Sequence, residues 1–128
     1  MMTLHAAIIV TGGSPSKSSV EVLHSDGSPW CSLPDLPDDR YAHTQTGLEA
    51  CGGGYSSAIK TTCVRLSGGS WSPSHQLVEK RAYHSIWASP AGTLLMGSNE
   101  YKRKNTTELL DTNTGKSVTS FPLKYETW

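Results

Sequence analysis

Histidine and cysteine are the residue types in this chain best suited to chemistry, because imidazole and thiolate groups act as bases, nucleophiles and metal ligands. The chain has five histidines, and they are His5, His24, His43, His75 and His84. The sequence has no zinc-binding spacing such as Cys-x-x-Cys or His-Glu-x-x-His, no nucleophile elbow and no phosphate-binding loop. We therefore predict that the chain is not an enzyme, and we expect no catalytic residue, no metal ligand and no cofactor.

Two of the histidines belong to a recurring pair. His43 follows Arg40 in an Arg-x-x-His sequence, and His84 follows Arg81 in the same way. A pair that recurs along a chain usually solves a packing problem that every structural unit has. We expect these four side chains to bind strand carbonyl groups where one unit meets the next.

The cysteines leave two alternatives open. Cys51 and Cys63 flank a loop, and a hairpin would place them opposite one another with β-carbons roughly 4.5–5.5 Å apart, near what a disulfide requires. They form either a disulfide or two small buried thiols of a reduced protein. Cys31 is then left over, either free or paired outside the chain. Asn105 begins an acceptor sequence for N-glycosylation.

The elements that must position these residues are short β-strands. Residues 6–10 form an apolar run, whereas residues 20–23 and 62–66 alternate between apolar and polar side chains. Gly, Ser, Pro, Asn and Asp separate these runs, which is typical of turns. No run of ten or more residues has a helical period. The sequence predicts an all-β chain.

A repeat with a period of about 41 residues organises the strands. The glycine pair 12–13 recurs at 52–53 and more weakly at Gly97, and Trp30 recurs as Trp71. One supersecondary unit of about four strands is therefore used repeatedly. We take as its marks Gly12, Gly13, Gly52, Gly53, Gly97, Trp30, Trp71, Arg40, Arg81, His43 and His84.

The order of these marks resembles the kelch repeat of β-propellers. An apolar strand leads to Gly-Gly, then come a variable loop, an alternating strand, a turn, a Trp and a Leu-Pro stretch before Arg. The resemblance implies a kelch-type propeller fragment of about three four-stranded antiparallel blades. It divides the chain into repeat one at 1–40 without its first strand, repeat two at 41–81, a degenerate repeat three at 82–123, and the start of a further repeat at 124–128.

The resemblance also raises the question of what completes the ring. A propeller of this type needs about 160 to 290 residues to close with four to seven blades, whereas this chain has 128. We expect either further blades of a parent propeller or self-association to cover its open faces.

The implied function is a non-catalytic module that recognises a protein partner of unknown identity. In propellers the loops at one mouth vary while the scaffold is kept, and the corresponding loops here are 14–19, 55–60 and 99–105. Their aromatic and basic side chains are the predicted binding residues, since such groups dominate protein interfaces: Tyr55, Lys60, Tyr101, Lys102 and Arg103.

The resemblance leaves two alternative functions on the same fold. In these alternatives the chain is either a fragment of a galactose-oxidase-like copper oxidase or the substrate-recognition part of a ubiquitin-ligase adaptor. Eleven basic residues balance eleven acidic ones, which argues against nucleic acid as a partner. No apolar run of about 18 residues that could span a membrane is present. The cysteine pair, the sequon and the resemblance to some secreted invertebrate kelch-like repeats favour an extracellular over a cytoplasmic location.

Overall fold

The structure is a computed structural model, and it describes residues 7–13, 18–27, 29–54, 59–89, 92–97, 105–111 and 117–119. Within these ranges the chain is all-β and contains no helix, as the sequence predicted. The described residues contain eleven strands, which form three separate antiparallel sheets, and each sheet is built from strands that follow one another along the chain. No helix in the described part of the chain is long and apolar enough to cross a membrane.

The first sheet has three strands, in the order β1-β2-β3. Strand β1 pairs with β2 from Ala7↔His24 to Thr11↔Val20. Strand β3 is short and begins directly after Trp30, which itself lies outside the strand. The bounds of the strands are β1 Ala7–Thr11, β2 Val20–His24 and β3 Cys31–Leu33.

The second sheet has four strands, in the order β4-β5-β6-β7. Cys51 of β5 pairs with Cys63 of β6, and Cys63 pairs in turn with His75 of β7. A β-bulge shifts the register of β6 and β7 after Cys63. The bounds are β4 Thr44–Thr46, β5 Glu49–Cys51, β6 Thr62–Ser67 and β7 Ser70–Gln76.

The third sheet repeats this order, as β8-β9-β10-β11. Met96 of β9 lies opposite Thr107 of β10 in the same place that Cys51 lies opposite Cys63, directly before the glycine that opens the loop. The bounds are β8 Ser85–Ser89, β9 Gly92–Met96, β10 Thr107–Leu110 and β11 Ser117–Thr119.

The hydrophobic core lies between the sheets, because side chains alternate between the two faces of each strand. One cluster joins the first and second sheets, and its buried members are Val20, Leu36, Ala50 and Val64. The other joins the second and third sheets, and its members are Cys51, Cys63, Leu77, Leu95 and Leu110. Ala50 and Cys51 are neighbours in β5, so the middle sheet is covered on both faces.

The two outer sheets each expose the face that points away from the middle sheet. Ile8 and Val10 of β1 are 59% and 47% exposed, although Ile9 between them packs inward. At the opposite end, Trp87 of β8 is 59% exposed and Val118 of β11 is 50% exposed. Large apolar side chains are therefore left on both outer faces of the three-sheet stack.

Candidate functional site

A buried arginine lies at the junction between the first and second sheets. The side chain of Arg40 is fully buried, and its Nη1 donates hydrogen bonds to the carbonyl oxygens of Gly52 at 2.9 Å and Thr62 at 2.7 Å. Its Nη2 donates to Thr62 Oγ1 at 2.8 Å, and its Nε donates to Asp38 Oδ1 at 2.9 Å. Because Gly52 and Thr62 are the two ends of the loop between β5 and β6, one guanidinium group holds the base of that loop.

Arg81 does the same one repeat later. It is also fully buried, and its Nη1 donates to the carbonyl oxygens of Gly97 at 2.8 Å and Thr106 at 3.0 Å, at the two ends of the β9–β10 loop. Its Nε donates to Glu108 Oε2 at 2.5 Å. Its Nη2 lies 3.8 Å from Glu79 Oε2 and makes no hydrogen bond within the described part of the chain. The expectation that these arginines bind strand carbonyls agrees with this geometry.

The two histidines form the second recurring contact. His43 Nε2 lies 2.7 Å from Thr11 Oγ1, and His84 Nε2 lies 2.7 Å from Thr44 Oγ1, so each histidine reaches back to the preceding sheet. The Thr11 hydroxyl donates to Gln45 Oε1 at 2.6 Å, and it must therefore accept from His43 Nε2–H. The expected histidine contacts to strand carbonyls were wrong, because a threonine hydroxyl occupies the position facing each imidazole.

Both histidines have a low affinity for protons. Burial, followed by the positive charges of Arg81 and His43, lowers the pKa of His84 from 6.5 to about 3. Burial and the charge of Arg40 lower the pKa of His43, although its hydrogen bond with Thr11 opposes this change. With a pKa of about 3, His84 is a weak general base near neutral pH. Each Thr–His pair joins two neighbouring sheets.

Two non-glycine residues with positive φ precede these histidines. Ala42 has φ of 56° and Tyr83 has φ of 53°, and they occupy the same position of the repeat. The Tyr83 backbone N–H donates to the Ala42 carbonyl at 2.7 Å, so the two strained turns are in contact. Sequence reasoning missed this feature because neither Ala nor Tyr marks a left-handed turn.

Two buried carboxylates were also missed. Glu108 is 1% exposed and accepts hydrogen bonds from the backbone N–H groups of Val78 and Glu79, from Arg81 and from the Ser117 hydroxyl. Glu49 is likewise 1% exposed. Both glutamates are in short strands whose side chains alternate between the two faces, and a glutamate in such a strand usually faces solvent. Only the structure shows that these two side chains face the protein interior.

The cysteines occupy the positions that a cross-strand pair requires. Cys51 and Cys63 are joined by a disulfide, with Cα atoms 4.1 Å apart, and both are fully buried. Cys31 is exposed and free.

The predicted binding residues are only partly described. Lys60 lies near the base of the loop between β5 and β6. Its Nζ is 3.4 Å from Asp38 Oδ2, and its backbone N–H donates to the Gly53 carbonyl at 2.9 Å. Asn105 lies in the turn before β10 and is half-buried. The other four predicted binding residues lie outside the described residues, and they are Tyr55, Tyr101, Lys102 and Arg103.

The glycine pair of the middle sheet allows the junction to close. Gly53 donates its N–H to the Arg81 carbonyl at 2.7 Å, and Gly13 donates to the Arg40 carbonyl at 2.8 Å. A Cβ added to Gly52 would lie 2.5 Å from the Arg81 carbonyl oxygen and 2.8 Å from His84 Cε1. Gly52 thus combines positive φ with a close approach of two backbones.

Replacing Gly52 by alanine tests this close approach. Gly68 is the matched control, since it has φ of 60° against 67° for Gly52 but has open space around it. We expect Gly68→Ala to lower the free energy of unfolding by about 1 kcal/mol through backbone strain alone. Gly52→Ala should cost about 2 kcal/mol more because backbone atoms must move apart. Urea unfolding measures both, and equal losses would contradict the close approach.

A search of models of protein families finds none that matches this chain. A search of curated proteins likewise finds no match.

Proposed function

We propose that the chain is a segment of a kelch-type β-propeller that acts as a non-catalytic scaffold for recognising another protein. The observation that carries this proposal is the repeated junction: Arg40 and Arg81 each fix the two ends of the loop in the following sheet. A buried charge at each loop base fixes the two ends of the loop, and the sequence between those ends is free to vary. Such an arrangement is suited to binding by loops.

The blade arrangement is supported by the way in which neighbouring sheets meet. Trp71 of the second sheet donates its indole N–H to the Pro34 carbonyl that follows the first sheet, at 2.7 Å. Trp30 holds the same position of the repeat but is 48% exposed. The difference is explained if each Trp packs against a preceding blade, and if a further blade or a second chain covers Trp30.

The charges near the loop bases favour a polar, protein-like partner. Lys60 and Asp38 form an ion pair that is partly open to solvent, with side chains 26% and 37% exposed. Such rim pairs contribute mostly to specificity and to the rate of association. The remaining affinity would come from the other predicted binding residues, which are the aromatic and basic side chains at positions 55 and 101–103.

Affinity capture with loop variants tests the proposal. The loop variant carries Tyr55→Ser, Lys60→Ala, Tyr101→Ser, Lys102→Ala and Arg103→Ala. The control variant instead changes exposed strand positions outside the loops, as Glu21→Ala and Ser72→Ala. We expect a protein that is captured by the wild type and by the control but at least about tenfold less by the loop variant, with thermal midpoints unchanged. Equal capture by the folded loop variant would overturn the proposal.

A further inference from the structure

The middle sheet contains a cluster of metal-ligating side chains that the repeat does not need. Glu49, Cys51 and Cys63 place a carboxylate oxygen and two sulfur atoms within 4.8 Å of one another, all of them buried. His75 adjoins them, because its Nδ1–H donates to Glu49 Oε2 at 2.7 Å. The cluster lies on the face that packs against Leu95 and Leu110 of the third sheet.

Comparison with the other two sheets shows that this cluster is particular to the middle one. When the glycines that follow the strands are aligned, Glu49 corresponds to Ile9 of the first sheet and Leu94 of the third. The cysteine pair corresponds to Thr11↔Val20 and Met96↔Thr107. The repeat is thus built twice without a buried carboxylate or a cysteine in these places. In the middle sheet Glu49 Oε2 also accepts from the Ser74 hydroxyl, and Glu49 Oε1 lies 3.4 Å from Arg65 Nη2.

The chemistry of this donor set is that of zinc. Cys51 and Cys63 are joined as a disulfide. Once they are reduced and deprotonated, two thiolates and a carboxylate suit a borderline-soft divalent cation that takes four ligands in a tetrahedron. The cysteines belong to adjacent strands, and Glu49 stands two residues before Cys51 on the same face. All three donors therefore converge from a rigid sheet. His75 fixes the carboxylate, as outer-shell hydrogen bonds do for metal ligands.

We propose that reduction of the Cys51–Cys63 disulfide converts this cluster into a site for one zinc ion, held by Cys51, Cys63 and Glu49. The step is a two-electron reduction in which the S–S bond breaks and each sulfur takes up one proton. A dithiol supplies both electrons and both protons and is itself oxidised to a disulfide. A phosphine supplies the two electrons and becomes its oxide by taking the oxygen of a water molecule, whose two protons go to the sulfurs. Zinc then displaces the two thiol protons and binds both thiolates. A water molecule fills the fourth position. Because the sulfur atoms are fully buried, the second and third sheets must separate transiently for the reductant and the metal to enter.

The test is zinc binding by the whole chain in both redox states. The chain carrying Cys31→Ser, which removes the exposed thiol, is reduced with a phosphine in oxygen-free buffer and titrated with zinc sulfate. Native mass spectrometry gives the stoichiometry, and competition with a chromophoric chelator gives the affinity. We expect one zinc per reduced chain and none per oxidised chain. Cobalt(II) in the same site should give the visible bands of a tetrahedral thiolate complex.

Two variants separate a built site from binding to loose thiols. Glu49→Gln removes a ligand and should weaken zinc binding at least about tenfold, and His75→Gln should weaken it by about tenfold through loss of the hydrogen bond to Glu49. If the reduced chain merely unfolds and its thiols capture zinc, both variants will bind as tightly as the parent, and the proposal fails. It also fails if the reduced chain takes up no zinc.

Discussion

Replacing Arg81 by methionine is expected to lower the free energy of unfolding by about 3–5 kcal/mol, because it leaves the buried carboxylate of Glu108 without its charged partner. The guanidinium and carboxylate are 2.5 Å apart, and their side chains are 0% and 1% exposed. The carbonyl oxygens of Gly97 and Thr106 also lose their donor. Urea unfolding, monitored by tryptophan fluorescence, measures the loss.

The matched control is Arg65→Met. The Arg65 side chain is 53% exposed and lies 3.4 Å from the buried carboxylate of Glu49, and that carboxylate keeps its hydrogen bonds with Ser74 and His75 when the arginine is lost. That change should cost at most about 1 kcal/mol. Arg40→Met should fall between the two, because its partner Asp38 is 37% exposed and can be hydrated when the arginine is lost. Adding Glu108→Gln to Arg81→Met should restore part of the stability by removing the unpaired charge. Equal losses for Arg65 and Arg81 would contradict the buried-pair explanation.

The sequence predicted the all-β class and the places of several strands because alternation and turn residues are local signals. Strand β6 begins at Thr62 as expected, and β2 begins at Val20. The recurrence of Arg40 as Arg81 could also be seen in the sequence, because a repeat period can be found without knowing any contacts. The repeated marks were therefore enough to place these arginines where one sheet meets the next.

The partners of those marks could not be predicted, because they come from distant parts of the chain. Nothing local indicates that Glu108 accepts from Arg81, 27 residues earlier, or that His84 binds Thr44 rather than a carbonyl. The left-handed turns at Ala42 and Tyr83 were hidden for another reason. There the junction imposes a backbone conformation that the residue types themselves disfavour.

Acidification is expected to destabilise the fold well above the pH at which carboxylates titrate, because His84 is buried in its neutral form. Its pKa falls from 6.5 in the unfolded chain to about 3 in the folded one. Between these values the unfolded chain binds more protons than the folded chain, so the free energy of unfolding decreases as the pH falls. The loss attributable to His84 is about 2 kcal/mol by pH 5 and on the order of 4–5 kcal/mol at pH 3.

Burial and Arg40 lower the pKa of His43 as well, so the two histidines act in the same direction. Urea unfolding between pH 7.5 and pH 5 avoids most of the titration of carboxylates, because most carboxylates stay ionised in that range. His84→Gln retains a side chain that can hydrogen-bond Thr44 but cannot be protonated, and it should remove most of the pH dependence. His24→Gln, at an exposed position, should leave that dependence unchanged. A full slope in the His84 variant would mean that protons are taken up elsewhere, and the sheet junction would then not be the acid-sensitive part of the fold.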